Sequence, residues 1–332
     1  MTHPRFRRIF DYMEAPRTLL EAVKTYGDPD SALTEIADSR WPKGVVCPHC
    51  QADNPMFLKT RRIWKCSKCR KQFSIKAGTV FEDSPIGLDK WLPAVWMIAN
   101  DKNGISSWEL HRALGVTQKT AWFMLHRIRL AMQDDFSGGK LGGHIEVDET
   151  FIGGKARNMH KKERAEKIRG RGPDGKAIVA AVLERGGKVR TKIVKNRRKP
   201  ELQALVRENV ETGSNLYSDA LKSYDGLDEF EHQVIDHAVA YVEGNVHTNG
   251  LENFWSLLKR SLKGTYVAVE PFHLFRYVDE QAFRFNNREG MDDYGRFKLT
   301  LSQVVGKRLM YTHLIGKDTE STGSTQGTDE SF

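Results

Sequence analysis

The chain has 332 residues, with 52 Lys and Arg against 43 Asp and Glu, a net charge of +9 and a pI near 9.3. That length predicts two to three domains, and the basic balance favours a polyanionic partner. No apolar run approaches the ~20 residues of a membrane helix, and Met1–Phe10 lacks the apolar stretch of a secretory signal. A cytoplasmic, bacterial-style protein with no membrane partner is therefore expected.

Residues 1–40 read as an amphipathic helical segment with Phe10, Met13, Leu19, Leu20 and Val23 at its apolar positions. Tyr26-Gly27-Asp28-Pro29 ends that run. Residues 41–85 hold all four cysteines of the chain, Cys47, Cys50, Cys66 and Cys69, as C-x2-C, fifteen residues, C-x2-C. Two such knuckles can wrap one tetrahedral zinc through four thiolates. The segment between them is polar and basic (Lys59, Arg61, Arg62, Lys65, with Lys68, Arg70 and Lys71 following), with too few apolar residues for its own core. A structural zinc is expected to hold it, and its basic surface points toward nucleic acid. Phe73, Ile75 and Val80 alternate with polar residues as a ribbon strand would.

Residues 86–136 change to helical periodicity, with Trp91, Leu92, Val95, Trp96 and Ile98 as a core stripe. Ser106 and Glu109 have capping-box spacing, Gly115 sits where that helix should stop, and Thr117 can cap a second helix from Gln118 to about Met132. This is helix-turn-helix grammar. Gln118, Lys119 and Thr120 open the second helix, where base edges or phosphates are met, and Arg127 and Arg129 lie further along it. A plain helical hairpin is the bland alternative.

Ser137-Gly138-Gly139-Lys140-Leu141-Gly142-Gly143 reads as a linker before residues 144–290. There, His144–Phe151, Ala177–Leu183, Val189–Val194, Asn215–Ser218 and Val234–Asp236 are the strand segments. Helices are expected from about Pro200 to Asn209, Asn249 to Leu262 and Pro271 to Asn286, giving a mixed α/β sheet. The basic run from Lys155 to Arg171 reads as a loop that orders on DNA. Residues 291–332 form a C-terminal extension whose tail, after Lys317, has a disordered composition.

Acids stand where strands end. In Glu146-Val147-Asp148-Glu149, alternation puts Glu146 and Asp148 on one face and Val147 and Glu149 on the other. Asp219 closes the fourth strand. If the second and third strands form a ribbon on one side of the first, and the fourth pairs on its other side, Asp148 and Asp219 become neighbours. On the helix that follows, Glu252, Ser256 and Lys259 share one face, opposite Leu251, Phe254, Trp255 and Leu258. Two strand acids and one helix acid can hold a pair of Mg2+ ions for phosphoryl transfer.

Val147-Asp148-Glu149-Thr150-Phe151-Ile152-Gly153-Gly154-Lys155, Ser218-Asp219-Ala220 and the long block His247-Thr248-Asn249-Gly250-Leu251-Glu252-Asn253-Phe254-Trp255-Ser256-Leu257-Leu258-Lys259-Arg260 with Gly264-Thr265-Tyr266 resemble insertion-sequence transposases of the DDE type. The zinc-ribbon-bearing ISXO-like branch is the nearest, over roughly residues 15–290. The resemblance implies a ribonuclease-H-like catalytic domain behind the zinc ribbon and helix-turn-helix. It implies DNA strand cleavage followed by strand transfer. Asp148, Asp219 and Glu252 resemble the three acids holding two Mg2+ ions, with Mn2+ as the alternative ion. Lys259 resembles a phosphate-contacting residue, Asn249 is the rival to Glu252 for the third position, and His247 would orient a carboxylate or meet a phosphate. The implied partners are double-stranded DNA, as element ends and target, and further copies of the chain on DNA, with no small-molecule substrate. The protein is then expected at the nucleoid when bound. A silent DNA-binding regulator and a nuclease that never joins are the rival readings.

Overall fold

A computed structural model of the protein describes residues 15–134, 138–154, 160–167, 175–235 and 247–317. Two helices come first, α1 (Leu19–Tyr26), capped by Thr18, and α2 (Pro29–Arg40), capped by Asp28 with Pro29 at its first position. The buried face of α1 differs from expectation. Leu19, Leu20 and Val23 are exposed, and Ala22 and Tyr26 are buried instead. Tyr26 stacks on Phe297 at 5.3 Å, a partner far downstream that local periodicity cannot register. Phe10 and Met13 lie outside the described residues.

The cysteine segment folds as three antiparallel strands, β1 (Met56–Leu58), β2 (Ile63–Lys65) and β3 (Gln72–Ser74). It holds more apolar packing than expected. Trp64 stacks on Phe73 at 5.9 Å and meets Trp41 and Phe57 at 5.5 and 5.0 Å. Strands this short do not hold register by themselves.

Helix α3 (Leu88–Asn100) buries the predicted tryptophan and leucine stripe. Helix α4 (Ser107–Leu114) opens with the Ser106–Glu109 capping box and ends at Gly115, φ 62°, a left-handed turn that glycine adopts at little cost. Thr117 caps α5 (Gln118–Met132). Arg127 and Arg129 are buried, not available to a ligand at the surface. Arg127 donates to the carbonyls of Glu82 and Leu309 at 2.8 and 3.2 Å, and Arg129 donates to Glu280 at 2.6 Å.

All of these elements share one hydrophobic core with α10 (Asp293–Ser302), which contributes Phe297 and Leu301. The chain beyond α10 is sewn to the exit of the ribbon. Val80 N donates to Val304 O at 3.0 Å, and Gly306 N donates to Gly78 O at 2.9 Å. Segments of this size bury too little surface alone, so they pool it. A short helix, α11 (Tyr311–Leu314), follows, and the tail after Lys317 lies outside the described residues.

The second core is built on a five-stranded sheet of β4 (His144–Ile152), β5 (Ala177–Glu184), β6 (Val189–Val194), β7 (Asn215–Asp219) and β8 (Glu231–Ile235), ordered β6-β5-β4-β7-β8. Strands β4, β5 and β6 run antiparallel, while β7 and β8 run parallel to β4. The first strand is thus central, as the sequence predicted. Between β4 and β5 lies α6 (Lys161–Lys167). The loop expectation for the basic run is corrected there, since Lys, Glu, Arg and Ala are good helix formers. Residues 155–159 and 168–171 of that run, and Asp236 at the end of the last predicted strand, lie outside the described residues.

Alternation sorts the two faces of the sheet. Ile145, Val147 and Leu216 pack with Leu202, Leu205 and Val206 of α7 (Lys199–Asn209). Val179, Ala181 and Leu183 pack with Leu251, Phe254 and Leu258 of α8 (Asn249–Ser261) and with Leu274 and Val278 of α9 (Leu274–Asn286). No helix among the described residues is long and apolar enough to cross a membrane.

Candidate active site and metal centre

Strand β4 presents Glu146 and Asp148 to the α8 face. Asp148 Oδ2 accepts the indole N–H of Trp255 at 2.9 Å, and Oδ1 accepts the Glu149 amide at 2.8 Å. Each oxygen keeps a further lone pair for another ligand. Burial pushes the Asp148 carboxyl up to about 7; the two hydrogen bonds oppose this, and the charges of Glu149 and Asp219 add to it.

Glu146 lies opposite Tyr217 in the parallel β4–β7 pair. Two residues further along the strands stand Asp148 and Asp219, and the Asp219 charge raises the carboxyls of both Glu149 and Asp148. The amide of Leu221 donates to Asp219 Oδ1 at 3.1 Å, so the turn after β7 holds that carboxylate. Glu252 sits in the first turn of α8, exposed, and one turn before Trp255. Asn249 is the exposed first residue of α8, and Lys259 lies one turn past Trp255, half-buried. The two strand acids lie near enough for their charges to interact, whereas Glu252 stays on the open side of the helix. Among the described residues, no three carboxylates approach one another as closely as the cysteines do.

His247 belongs to a cluster that seats α8. Glu146 Oε2 accepts the Leu251 amide at 3.0 Å, and Oε1 accepts Arg185 Nε at 3.0 Å with His247 Nδ1 at 3.3 Å. Arg185 also donates to the His247 carbonyl at 2.7 Å. Gly250 lets the helix come this close, because a Cβ there would lie 2.5 Å from Leu183 Cδ2 and 2.8 Å from Glu146 Oε2. On the opposite face, Glu149 accepts Tyr224 Oη at 3.0 Å and Arg197 Nη1 at 3.2 Å, and its own pKa is raised by burial. These bonds tie the loops after β6 and β7 to the central strand.

The four cysteine Sγ atoms lie within 4.8 Å of one another, with Cys47–Cys69 at 3.7 Å and Cys50–Cys66 at 3.6 Å. A tetrahedral Zn–S bond of ~2.3 Å places its sulfurs ~3.8 Å apart, whereas a disulfide needs ~2.05 Å. The donor set and its spacing fit one zinc. The amide of Cys69, 3.5 Å from Cys66 Sγ, heads the influences that draw that thiol down to about 7, while the Cys50 thiol beside it is pushed up to about 11, so the two share a proton that a metal would displace.

The three predicted DNA-contact residues at the start of α5 each have a partner within the protein. Gln118 donates to Ser107 Oγ at 2.8 Å, the Lys119 ammonium lies 4.6 Å from the Tyr311 ring, and the Thr120 hydroxyl meets that of Thr117 at 2.8 Å.

Comparison with known proteins now bears on these sites. The ISXO2-like transposase domain model matches residues 140–286, and the transposase zinc-ribbon domain model matches residues 27–72. A Halobacterium salinarum protein described as an uncharacterized protein in transposable element ISH50 is 30% identical over 254 residues, covering 72% of this chain and 85% of its own. The chain belongs to the ISXO2-like transposase family. An uncharacterized transposase-like protein of Haemophilus influenzae is 38% identical over 104 residues, 31% of this chain and 84% of its own.

In this member of the ISXO2-like family, sequence reasoning missed how three residues act. Trp255 was placed on the apolar face, yet its indole grips Asp148. Glu146 was placed on the Asp148 face, where that alternation was the one clue to its seating of α8. Glu149 carries no local signal, since its partners Tyr224 and Arg197 are remote in sequence.

The raised Asp148 pKa gives a testable pH dependence. A carboxyl near 7 in the fold and about 3.9 when unfolded contributes stability below pH ~4 and loses it as pH rises through ~7. A divalent cation needs the ionised form. Mn2+ affinity measured by calorimetry should therefore rise up to about tenfold per pH unit below 7 and flatten above it, with proton release on the acid side. Affinity independent of pH from 5.5 to 8 would contradict the shift.

Proposed function

We propose that the protein is an active insertion-sequence transposase that binds the terminal repeats of its own element, cleaves a strand there and joins it to target DNA. The observation that carries this reading is that Asp148 and Asp219 stand on neighbouring parallel strands, near enough for the Asp219 charge to raise the Asp148 carboxyl. The mixed sheet with its first strand central suits a ribonuclease-H-like catalytic domain over residues 144–290. The ribbon (41–85) and the α4–α5 pair, read as a helix-turn-helix within 86–136, supply DNA contacts, phosphates giving affinity and α5 giving sequence preference.

Asp148, Asp219 and Glu252 are the residues that would hold two Mg2+ ions, with Glu252 preferred over Asn249 because a carboxylate binds Mg2+ better than an amide. When bound, such ions supply charge for the attacking and leaving oxygens of an in-line displacement. Trp255 keeps Asp148 turned toward α8, the Glu146 cluster seats the helix that carries Glu252, and Lys259 meets a DNA phosphate. In the first step water attacks phosphorus and a 3′-hydroxyl leaves; in the second that hydroxyl attacks a target phosphodiester. Two element ends must be held together, so the working form on DNA is at least a dimer.

The test is strand transfer with labelled element ends, a supercoiled target plasmid and Mg2+. Joined product should form with the wild type and fall roughly a thousandfold or more with Asp148→Ala, about 4 kcal/mol of barrier. Nicking without joining would favour the nuclease reading, and end binding with neither product a DNA-binding regulator.

A further inference from the structure

Helix α8 ends in a strained, exposed turn. The helix passes into one π-helical turn, Leu262–Tyr266, and Val267 follows with φ 60° and ψ −59°. A β-branched residue at positive φ is a genuine outlier, and π turns gather at functional sites. The Ala268 amide closes a three-residue turn onto Tyr266 O at 2.6 Å. Such strain persists only where the surroundings impose it. Here Tyr266 imposes it. Its hydroxyl donates to the buried Glu280, and Arg129 lies 5.0 Å from its ring. Gly104 leaves the space the Tyr266 hydroxyl fills, because a Cβ there would lie 1.9 Å from it.

With Tyr266 locked, Val267 is pushed outward and is 77% exposed. Phe272, five residues on, is another exposed apolar side chain at 55%. On the α8 side the chain before Val267 carries the exposed cations Arg260 and Lys263. An exposed apolar point on a rigid base beside cations is what duplex DNA meets when a side chain enters a base step. We infer that Val267 is a wedge that unstacks a base step of the element end. This rests on the transposase reading.

The probe is a duplex carrying the element's terminal repeat, with 2-aminopurine placed at successive positions. Binding is measured with Ca2+ in place of Mg2+, so the reading does not depend on cleavage. Wild type should raise the fluorescence at one step, and Val267→Gly, which removes the side chain and the strain together, should abolish that rise. In Mg2+ the variant should nick roughly tenfold slower, and a mismatch built into that step should restore its rate. Phe272→Ala should weaken the rise without abolishing it. No rise in the wild-type complex, or a full rise with Val267→Gly, overturns the wedge even where nicking proceeds. A rise without nicking in Mg2+ leaves the wedge standing and overturns the transposase reading alone.

Discussion

Removing zinc, or replacing Cys66 with Ser, should unfold the ribbon and carry much of the front core with it. Structural zinc in such sites contributes about 10–16 kcal/mol, comparable to the whole stability of a domain at ~5–15 kcal/mol. Cys47, Cys66, Trp64 and Phe73 belong to the same core as Phe81, Trp91 and Phe297. Loss of the ribbon would therefore wet the α3 tryptophans too. Metal analysis should find one zinc per chain, and chelation should shift tryptophan emission to the red and erase the front-half melting transition. Because a chelator also takes Mg2+, Cys66→Ser is the decisive arm. Unchanged melting of that variant would mean that the aromatic packing of Trp41, Phe57, Trp64 and Phe73 suffices without metal.

Glu280→Ala should be the most damaging single change away from the metal sites. Glu280 is fully buried between Arg129 and Arg284, and the Tyr266 hydroxyl also donates to it. Against burial, the two guanidiniums hold its carboxyl below the usual range. The Glu280 charge in turn outweighs the burial that works against charging Arg129. Truncation leaves two buried cations without their counter-charge, about 3–5 kcal/mol, or on the order of 10 °C in melting temperature. The exposed Arg288–Glu289 pair is the control, where Glu289→Ala should cost under about 1 kcal/mol. Equal costs at the two sites would sink this account.

What was legible in the sequence was what short-range spacing encodes. The two cysteine knuckles lie within one segment, and four thiolates at that spacing have few other uses. Asp148 and Asp219 were legible because strand ends and period-two alternation place them before any fold is known. The Ser106–Glu109 cap and Gly115 were legible for the same reason. What escaped depends on distant partners. Tyr26 outcompetes Leu19, Leu20 and Val23 for burial because Phe297 waits on α10. Arg129 looked like a surface cation until Glu280 arrived from α9. The Tyr311 ring against which Lys119 lies also comes from far along the chain. The setting of α8 turned on Gly250 having no side chain beside Glu146, a clearance that no helical pattern announces.

The stitching of the chain's last helices onto its first has a meaning for synthesis. Phe297, Leu301 and Val304 complete the core that holds α1 to α5 and the ribbon. On a ribosome the N-terminal half emerges first, yet it cannot close until the residues after the five-stranded sheet have also emerged. The half that carries the ribbon thus matures last, so a nascent chain finishes it only once the whole sheet domain is attached.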